Sequence, residues 1–373
     1  MFDSNDATRA ETVGSLLRGD AVVRAARRAG PADGAVLDDA AIDAIKLQEE
    51  IGLDVITDGE VRRTAWAQTP RFVDAFAATT GRGALNWRGA TEGRSGVPAS
   101  EQSDRPAGYP AVVSRVATAR RTGDMTAEYE FLTRYARTRT KFTMPAPSYH
   151  RRYWSEQHSR AVYDSCAEYL TEIRDYLREV VDRLVALGCD YVQLDAPNYG
   201  SLCDPDTRAA MAAAGRDLDA ELAFDAELDN SLVRGLSGVT AAMHVCRGNG
   251  PGGAWHSAGG YGAISAALFP KLEFDRLLLE YDSDRAGTFA PLADVREGTV
   301  VVLGLLTTKS DKMEEEADVA ARIAEADRYK PLDELALSTQ CGFASVPIEN
   351  PVTPEVQRAK LEMVVRLARR TWT

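Results

Sequence analysis

The chain has 373 residues, 45% of them hydrophobic and 27% charged, with enough apolar material for a large core and no disorder-like bias. Acidic residues outnumber basic ones 56 to 44, and a net charge of -12 has the wrong sign for wrapping a polyanion, which makes nucleic acid and anionic membrane poor partners. No apolar run reaches the roughly 18 residues of a membrane span, and the opening residues Met1 to Asp6 are polar and acidic, so a cytoplasmic protein is expected.

In chain order, the first short apolar strand is expected at Thr12 to Val13. A helical pattern from Asp38 to Ile51 stops at Gly52, and Asp54 to Thr57 then reads as a buried strand running into the tight turn Asp58-Gly59-Glu60. Residues 62–138 fit this grammar least well, with a Gly- and Arg-rich stretch from Thr80 to Gly96 and a polar run from Ser100 to Pro106. A loop this long is expected to be a lid over the barrel mouth, a contact between copies in a homo-oligomer, or a plain surface excursion. A strand at Phe142 to Met144 follows. A long amphipathic helix from Tyr163 to Leu187 stops at Gly188, and the strand Tyr191 to Leu194 leads into Asp195. Further strands are expected at Val239 to Val245, Leu277 to Leu279, Val300 to Leu306 and Leu335 to Leu337. A helix from Ala317 to Ala326 carries the solvated acidic run Glu314 to Glu316.

Eight short apolar strands alternating with helices point to a closed (β/α)8 TIM barrel, with an open doubly wound sheet as the alternative. The barrel is expected to be one domain over residues 1–373, with 62–138 inserted after its second strand. Ser15, Glu60, Asp195, His244, Cys246, Glu280, Lys309 and Cys341 all fall at or just after strand ends, which a barrel gathers on one face.

The chemistry centres on His244-Val245-Cys246. Residues i and i+2 of a strand point to one side, so the two side chains can grip a single ion. Cys341 and Glu280 are further candidates, because a Glu that closes a buried apolar strand is costly without a partner. Five widely spaced cysteines do not form a disulfide framework, and Cys166, Cys189 and Cys203 are read as structural. His150 and His158 are read as packing or surface residues, His150 retaining some claim as a substrate contact. Glu60 and Asp195 stand ready for a cation or an amine, unless Arg62, Arg63 or Arg247 neutralises them.

Taken together, Val13-Gly14-Ser15, Asp58-Gly59-Glu60, Gln193-Leu194-Asp195, His244-x-Cys246-x-Gly248-Asn249, Glu280 and Gln340-Cys341-Gly342-Phe343 resemble the catalytic domain of cobalamin-independent methionine synthases. The likeness spans nearly the whole chain and is nearest to the short, single-barrel members, a group that includes epoxyalkane:coenzyme M transferases. It implies a zinc ion held by His244, Cys246, Glu280 and Cys341. It also implies that Glu60 and Asp195 hold the amino group of homocysteine and that the backbone of Gly14 and Ser15 holds its carboxylate. The implied activity is a zinc-dependent alkyltransferase acting on a small-molecule thiol and an alkyl donor, most simply by methyl transfer to homocysteine. Opening of an epoxide by a sulfonated thiol and a non-catalytic zinc-binding barrel are the other readings. The chain departs from the family on the donor side. Asp195-Ala196-Pro197-Asn198 stands where the synthases have Asp-Glu-Pro-Ala, and Lys309 aligns with the family's proton-donating His. Asp195 and Lys309 are thus the expected catalytic side chains.

Overall fold

The computed structural model describes residues 8–28, 30, 33–79, 88, 109–345 and 350–372. Seven strands form one parallel sheet, β1 (Ala10–Glu11), β4 (Phe142–Pro145), β5 (Tyr191–Asp195), β6 (Thr240–Val245), β7 (Arg276–Glu280), β8 (Val300–Leu306) and β9 (Leu335–Thr339). Their order is β1-β9-β8-β7-β6-β5-β4. The gap between β1 and β4 is filled by Val55 and Ile56, which bridge in parallel to Glu11 and Thr140. Asp54 N donates to Ala10 O, Ile56 N to Arg139 O and Lys141 N to Ile56 O, each at 2.9 Å. These bonds close the sheet into the eight-stranded TIM barrel that the alternation of elements requires, and the doubly wound alternative falls away.

The elements sit close to their expected places, and the differences have local causes. The first strand is Ala10–Glu11 rather than Thr12 to Val13, because the Asp54 carboxylate accepts from Arg9 N at 2.7 Å and Ala10 N at 2.8 Å and pins that segment to its neighbour. The second helix runs Gly34–Ile51 and ends where Gly52 takes φ 87°, the left-handed cap that glycine adopts without strain. The long helix begins at Cys166 rather than Tyr163, since Ser165 caps it by accepting from Glu168 N at 3.0 Å. It ends at Ala186, two residues before Gly188, and the later helix runs Glu316–Ala326. No helix among the described residues is long and apolar enough to cross a membrane.

Outward-facing strand residues pack under the helices in one large core, while Val13, Val55, Tyr191, Ala242, Leu278, Val302 and Ala336 form a separate apolar layer inside the barrel. Beside that layer, where β5 and β7 begin, the barrel is filled by ionic side chains. Glu11 is fully buried and accepts from Lys141 Nζ at 2.6 Å, Arg276 Nη2 at 2.8 Å and Tyr191 Oη at 2.9 Å.

The described parts of the 62–138 insertion are a turn of helix at Thr69–Phe72, the antiparallel pair β2 (Phe76–Ala77) and β3 (Ala111–Val112), and a helix at Ala127–Tyr135. Most of Thr80 to Gly96 and all of Ser100 to Pro106 lie outside the described residues. Arg88 pairs with Trp255 as an isolated bridge, and its guanidinium reaches Asp204 at 3.0 Å. The insertion is thereby tied to the loops that follow β5 and β6, on the face where the strands end.

Candidate metal centre

β6 turns His244 inward, Cys246 follows one residue past its end, β7 ends on Glu280, and Cys341 comes two residues after β9. One ligand atom from each of these four residues lies within 4.8 Å of all the others. The Cys246 and Cys341 sulfurs are 3.8 Å apart, and His244 Nε2 is 3.7 Å from Glu280 Oε1. Two thiolates at about 2.3 Å from a tetrahedral zinc would be separated by about 3.8 Å, so the sulfur pair already has the spacing of such an edge.

The polar inventory points the same way. His244 Nε2 and Glu280 Oε2 are buried without a hydrogen-bond partner, a costly arrangement unless a cation sits between them. Burial alone would depress His244, but its hydrogen bond with Asp195 and the nearby Glu280 and Cys341 push it up to about 10. The Cys341 thiol is held below its usual range by its hydrogen bond with Cys246, against burial and with help from His244 and Lys309. Glu280 is depressed far below the carboxylate range, because Lys309 and His244 outweigh its own burial. Anionic groups gathered around a buried, unpartnered histidine nitrogen fit a divalent ion, and two Cys, one His and one Glu form a zinc-type donor set.

The supporting contacts are specific. His244 Nδ1 lies 3.2 Å from Asp195 Oδ1, a contact of the kind that orients a histidine ring whose other nitrogen faces a metal. Arg247 N donates to Glu280 Oε1 at 2.8 Å, and Gly248 N to Cys246 Sγ at 3.4 Å. Lys309 Nζ lies 3.4 Å from Asp282 and 4.0 Å from Glu280 Oε2.

The acid turn stands beside this cluster. Glu60 is buried, takes φ 54°, and accepts from Thr143 Oγ1 at 2.6 Å. Burial pushes its carboxyl up, partly offset by Arg63. Gly14 lies directly against it, since a Cβ there would stand 2.4 Å from Glu60 Oε1. Ser15 meets the Cys341 loop, where Phe343 N donates to Ser15 O at 2.7 Å and Ala344 N to Ser15 Oγ at 3.2 Å. Gly14, Ser15, Glu60, Asp195 and Lys309 thus gather around the four donors.

Of the three arginines expected to neutralise the acids, only Arg63 touches one, at 3.4 Å from Glu60, and it is shared with Glu128 at 2.8 Å. Arg62 pairs with Asp38, and the Arg247 side chain donates to the carbonyls of Gly259 and Arg285. Cys166, Cys189 and Cys203 keep apart from the cluster, and burial raises all three thiols. His150 is fully buried between Ala146 O and Thr69 Oγ1, a packing residue, while His158 is half-buried on a short helix.

Sequence reasoning missed His256. Its ring covers Gly248, where a Cβ would approach to 2.2 Å, and burial pushes its pKa down to about 4. The signal was a lone histidine ten residues after Cys246 in a glycine-rich loop. Gln193 was noted only as part of a motif, yet it donates to Asp195 Oδ1 at 2.9 Å.

Residues 23–369 match the family model described as the catalytic domain of cobalamin-independent synthase. The uncharacterized proteins YxjH and YxjG of Bacillus subtilis strain 168 are 34% and 32% identical, over 98% of this chain and 94% of their own lengths. Among solved structures, the putative vitamin-B12 independent methionine synthase from Listeria monocytogenes aligns with a TM-score of 0.68 at 24% identity, over 98% of both chains. A B12-independent methionine synthase from Shewanella sp. W3-18-1, solved in complex with selenomethionine, aligns at 0.66 and 19% identity, over 97% of both chains. These structural likenesses concern the fold.

Proposed function

Because the chain belongs to the family of cobalamin-independent synthase catalytic domains, we propose that it is a zinc-dependent alkyltransferase that moves a methyl group onto the sulfur of homocysteine or a similar amino-acid thiol. The observation that carries this reading is the convergence of four donor atoms within 4.8 Å, with His244 Nε2 and Glu280 Oε2 buried and unpartnered. Zinc held by His244, Cys246, Glu280 and Cys341 supplies a lowered thiol pKa, so that a nucleophilic sulfur exists at neutral pH.

The remaining work belongs to the chain's own side chains. Glu60 and Asp195 receive the substrate ammonium, and an incoming cation restores the ionised form of Glu60 that burial disfavours. The backbone N–H groups at Gly14 and Ser15 receive its carboxylate, which fixes the sulfur relative to the donors. Lys309 Nζ, buried beside Asp282 and Glu280, holds the proton that the departing group of the alkyl donor takes up. Residues 1–373 act as one barrel unit, with the 62–138 insertion covering part of its mouth through Arg88.

The decisive experiment measures metal content in purified wild type and Cys341→Ser. About one zinc per chain in the wild type, lost or weakened in the variant, is the expected result. A wild type that takes up no zinc even after reconstitution would overturn the reading.

A further inference from the structure

A hydrogen-bonded line runs from the ionic end of the barrel to the metal centre. Lys141 Nζ donates to Glu11 Oε2 at 2.6 Å and to Gln193 Oε1 at 2.8 Å. Gln193 Nε2 donates to Val13 O at 3.0 Å and to Asp195 Oδ1 at 2.9 Å, and that same oxygen lies 3.2 Å from His244 Nδ1. Lys141, Gln193 and Glu11 are each at most 1% exposed, so water does not compete for these contacts.

The donor and acceptor roles along this line are forced in turn. An ammonium group only donates, so the Gln193 oxygen must face Lys141 and its NH2 must face Val13 and Asp195. Asp195 Oδ1 then accepts from Gln193 on one side and from the Nδ1–H of His244 on the other. A neutral imidazole with its proton on Nδ1 presents a lone pair at Nε2, which with Glu280 Oε2 is left without a hydrogen-bond partner in the donor cluster. The charges are consistent with this direction. Glu11 meets both Lys141 and Arg276, so these three side chains sum to one positive charge, and Asp195 is the carboxylate reached next through Gln193.

We propose that Lys141 and Gln193 are positioning residues of the metal centre, which fix from the closed end of the barrel the tautomer and ring orientation with which His244 faces the cation. This rests on the zinc reading above and adds to it how the histidine is held ready. Neither residue touches substrate.

The test is zinc affinity, measured by competition with a chromophoric chelator, together with the absorption spectrum of the cobalt-substituted protein. Wild type, Gln193→Leu, Gln193→Glu, Lys141→Met and Tyr191→Phe are compared. Loss of such an outer contact typically weakens metal binding about 10- to 100-fold. That weakening is expected for Gln193→Leu and Lys141→Met, with a changed cobalt spectrum. Tyr191→Phe removes a different bond to the same Glu11, so it is expected to lower the urea midpoint and leave zinc affinity unaltered. Gln193→Glu keeps the volume and the Lys141 contact while placing a carboxylate against Asp195; it is expected to weaken zinc and decides the matter if the leucine variant does not fold. Wild-type affinity, within about twofold, in a folded Gln193 variant would overturn the proposal while leaving the zinc reading intact. A wild type without zinc would overturn both, and the two failures are told apart by the wild-type sample alone.

Discussion

Glu60 is the one residue other than glycine with positive φ among those described, at 54°, a conformation that costs an L-residue about 1–2 kcal/mol. It is held there because Asp58 Oδ1 accepts from Glu60 N at 2.9 Å and Thr57 Oγ1 from Gly59 N at 3.0 Å. The twisted turn places the carboxylate against the backbone of Gly14. A methyl group in Gly14→Ala would sit 2.4 Å from that carboxylate, so the variant is expected to raise KM for homocysteine about tenfold or more while zinc content stays at the wild-type level; steady-state kinetics and metal analysis on one sample check this. A second residue carries a pH dependence away from the four donor residues. Asp229 accepts from Ser148 N and Oγ and from Tyr199 Oη, yet burial outweighs these bonds and pushes its carboxyl up from 3.8 to about 7. A group whose pKa is raised on folding contributes its full stability below about pH 4 and loses it as pH rises through about 7. Asp229→Asn is therefore expected to flatten the fall in urea midpoint between about pH 4 and pH 7, and an unchanged slope would contradict this account.

At the scale of elements, the helix ends are legible in sequence because their causes are local. Gly52 stops one helix by taking φ 87°, and Ser165 starts another by capping Glu168 N. The first strand was misplaced by two residues because its position depends on Asp54, a partner more than 40 residues away whose carboxylate binds Arg9 N and Ala10 N. The short helix Pro197–Ser201 shows the same limit. It lies on the loop after β6, and a Cβ at Gly200 would stand 2.0 Å from Cys246 O, a backbone atom that cannot swing aside. Gly200→Ala is expected to push the Cys246 loop outward and to lower zinc affinity at least several-fold, with a matching drop in thermal midpoint. Chelator competition beside a thermal melt would reveal whether the helix and the metal loop are packed as tightly as this.

Over the whole molecule, the barrel divides into an ionic closed end, an apolar middle layer and a polar mouth. Glu11 at the closed end pairs with two buried cations, Lys141 and Arg276, and offsets one of their two charges. Removing one partner of such a buried group leaves an uncompensated charge and costs about 3–5 kcal/mol. Glu11→Gln is expected to lose roughly that much stability in urea unfolding, well above what an exposed pair such as Arg160–Glu156 contributes. The eight-strand pattern was readable because strands covered by helices outside and filled by side chains inside become nearly continuous apolar runs. His244, Cys246, Glu280 and Cys341 were readable because reactive residues at the ends of such runs stand out against them. Lys141, Gln193 and His256 did not stand out, since each is an ordinary polar residue until the strand register sets its neighbours.

The sequence by itself therefore determined the alternation of helix and strand, the number of strands and the residue types able to bind a metal, all of which follow from spacing along the chain. Only the tertiary structure decided that Val55 and Ile56 close the barrel, that Asp195 stands behind His244, and that a lysine at the far end is bonded through Gln193 to that same carboxylate. Those facts depend on strand stagger and on which inward side chains share a level of the barrel, and a single chain does not encode either in its local periodicity.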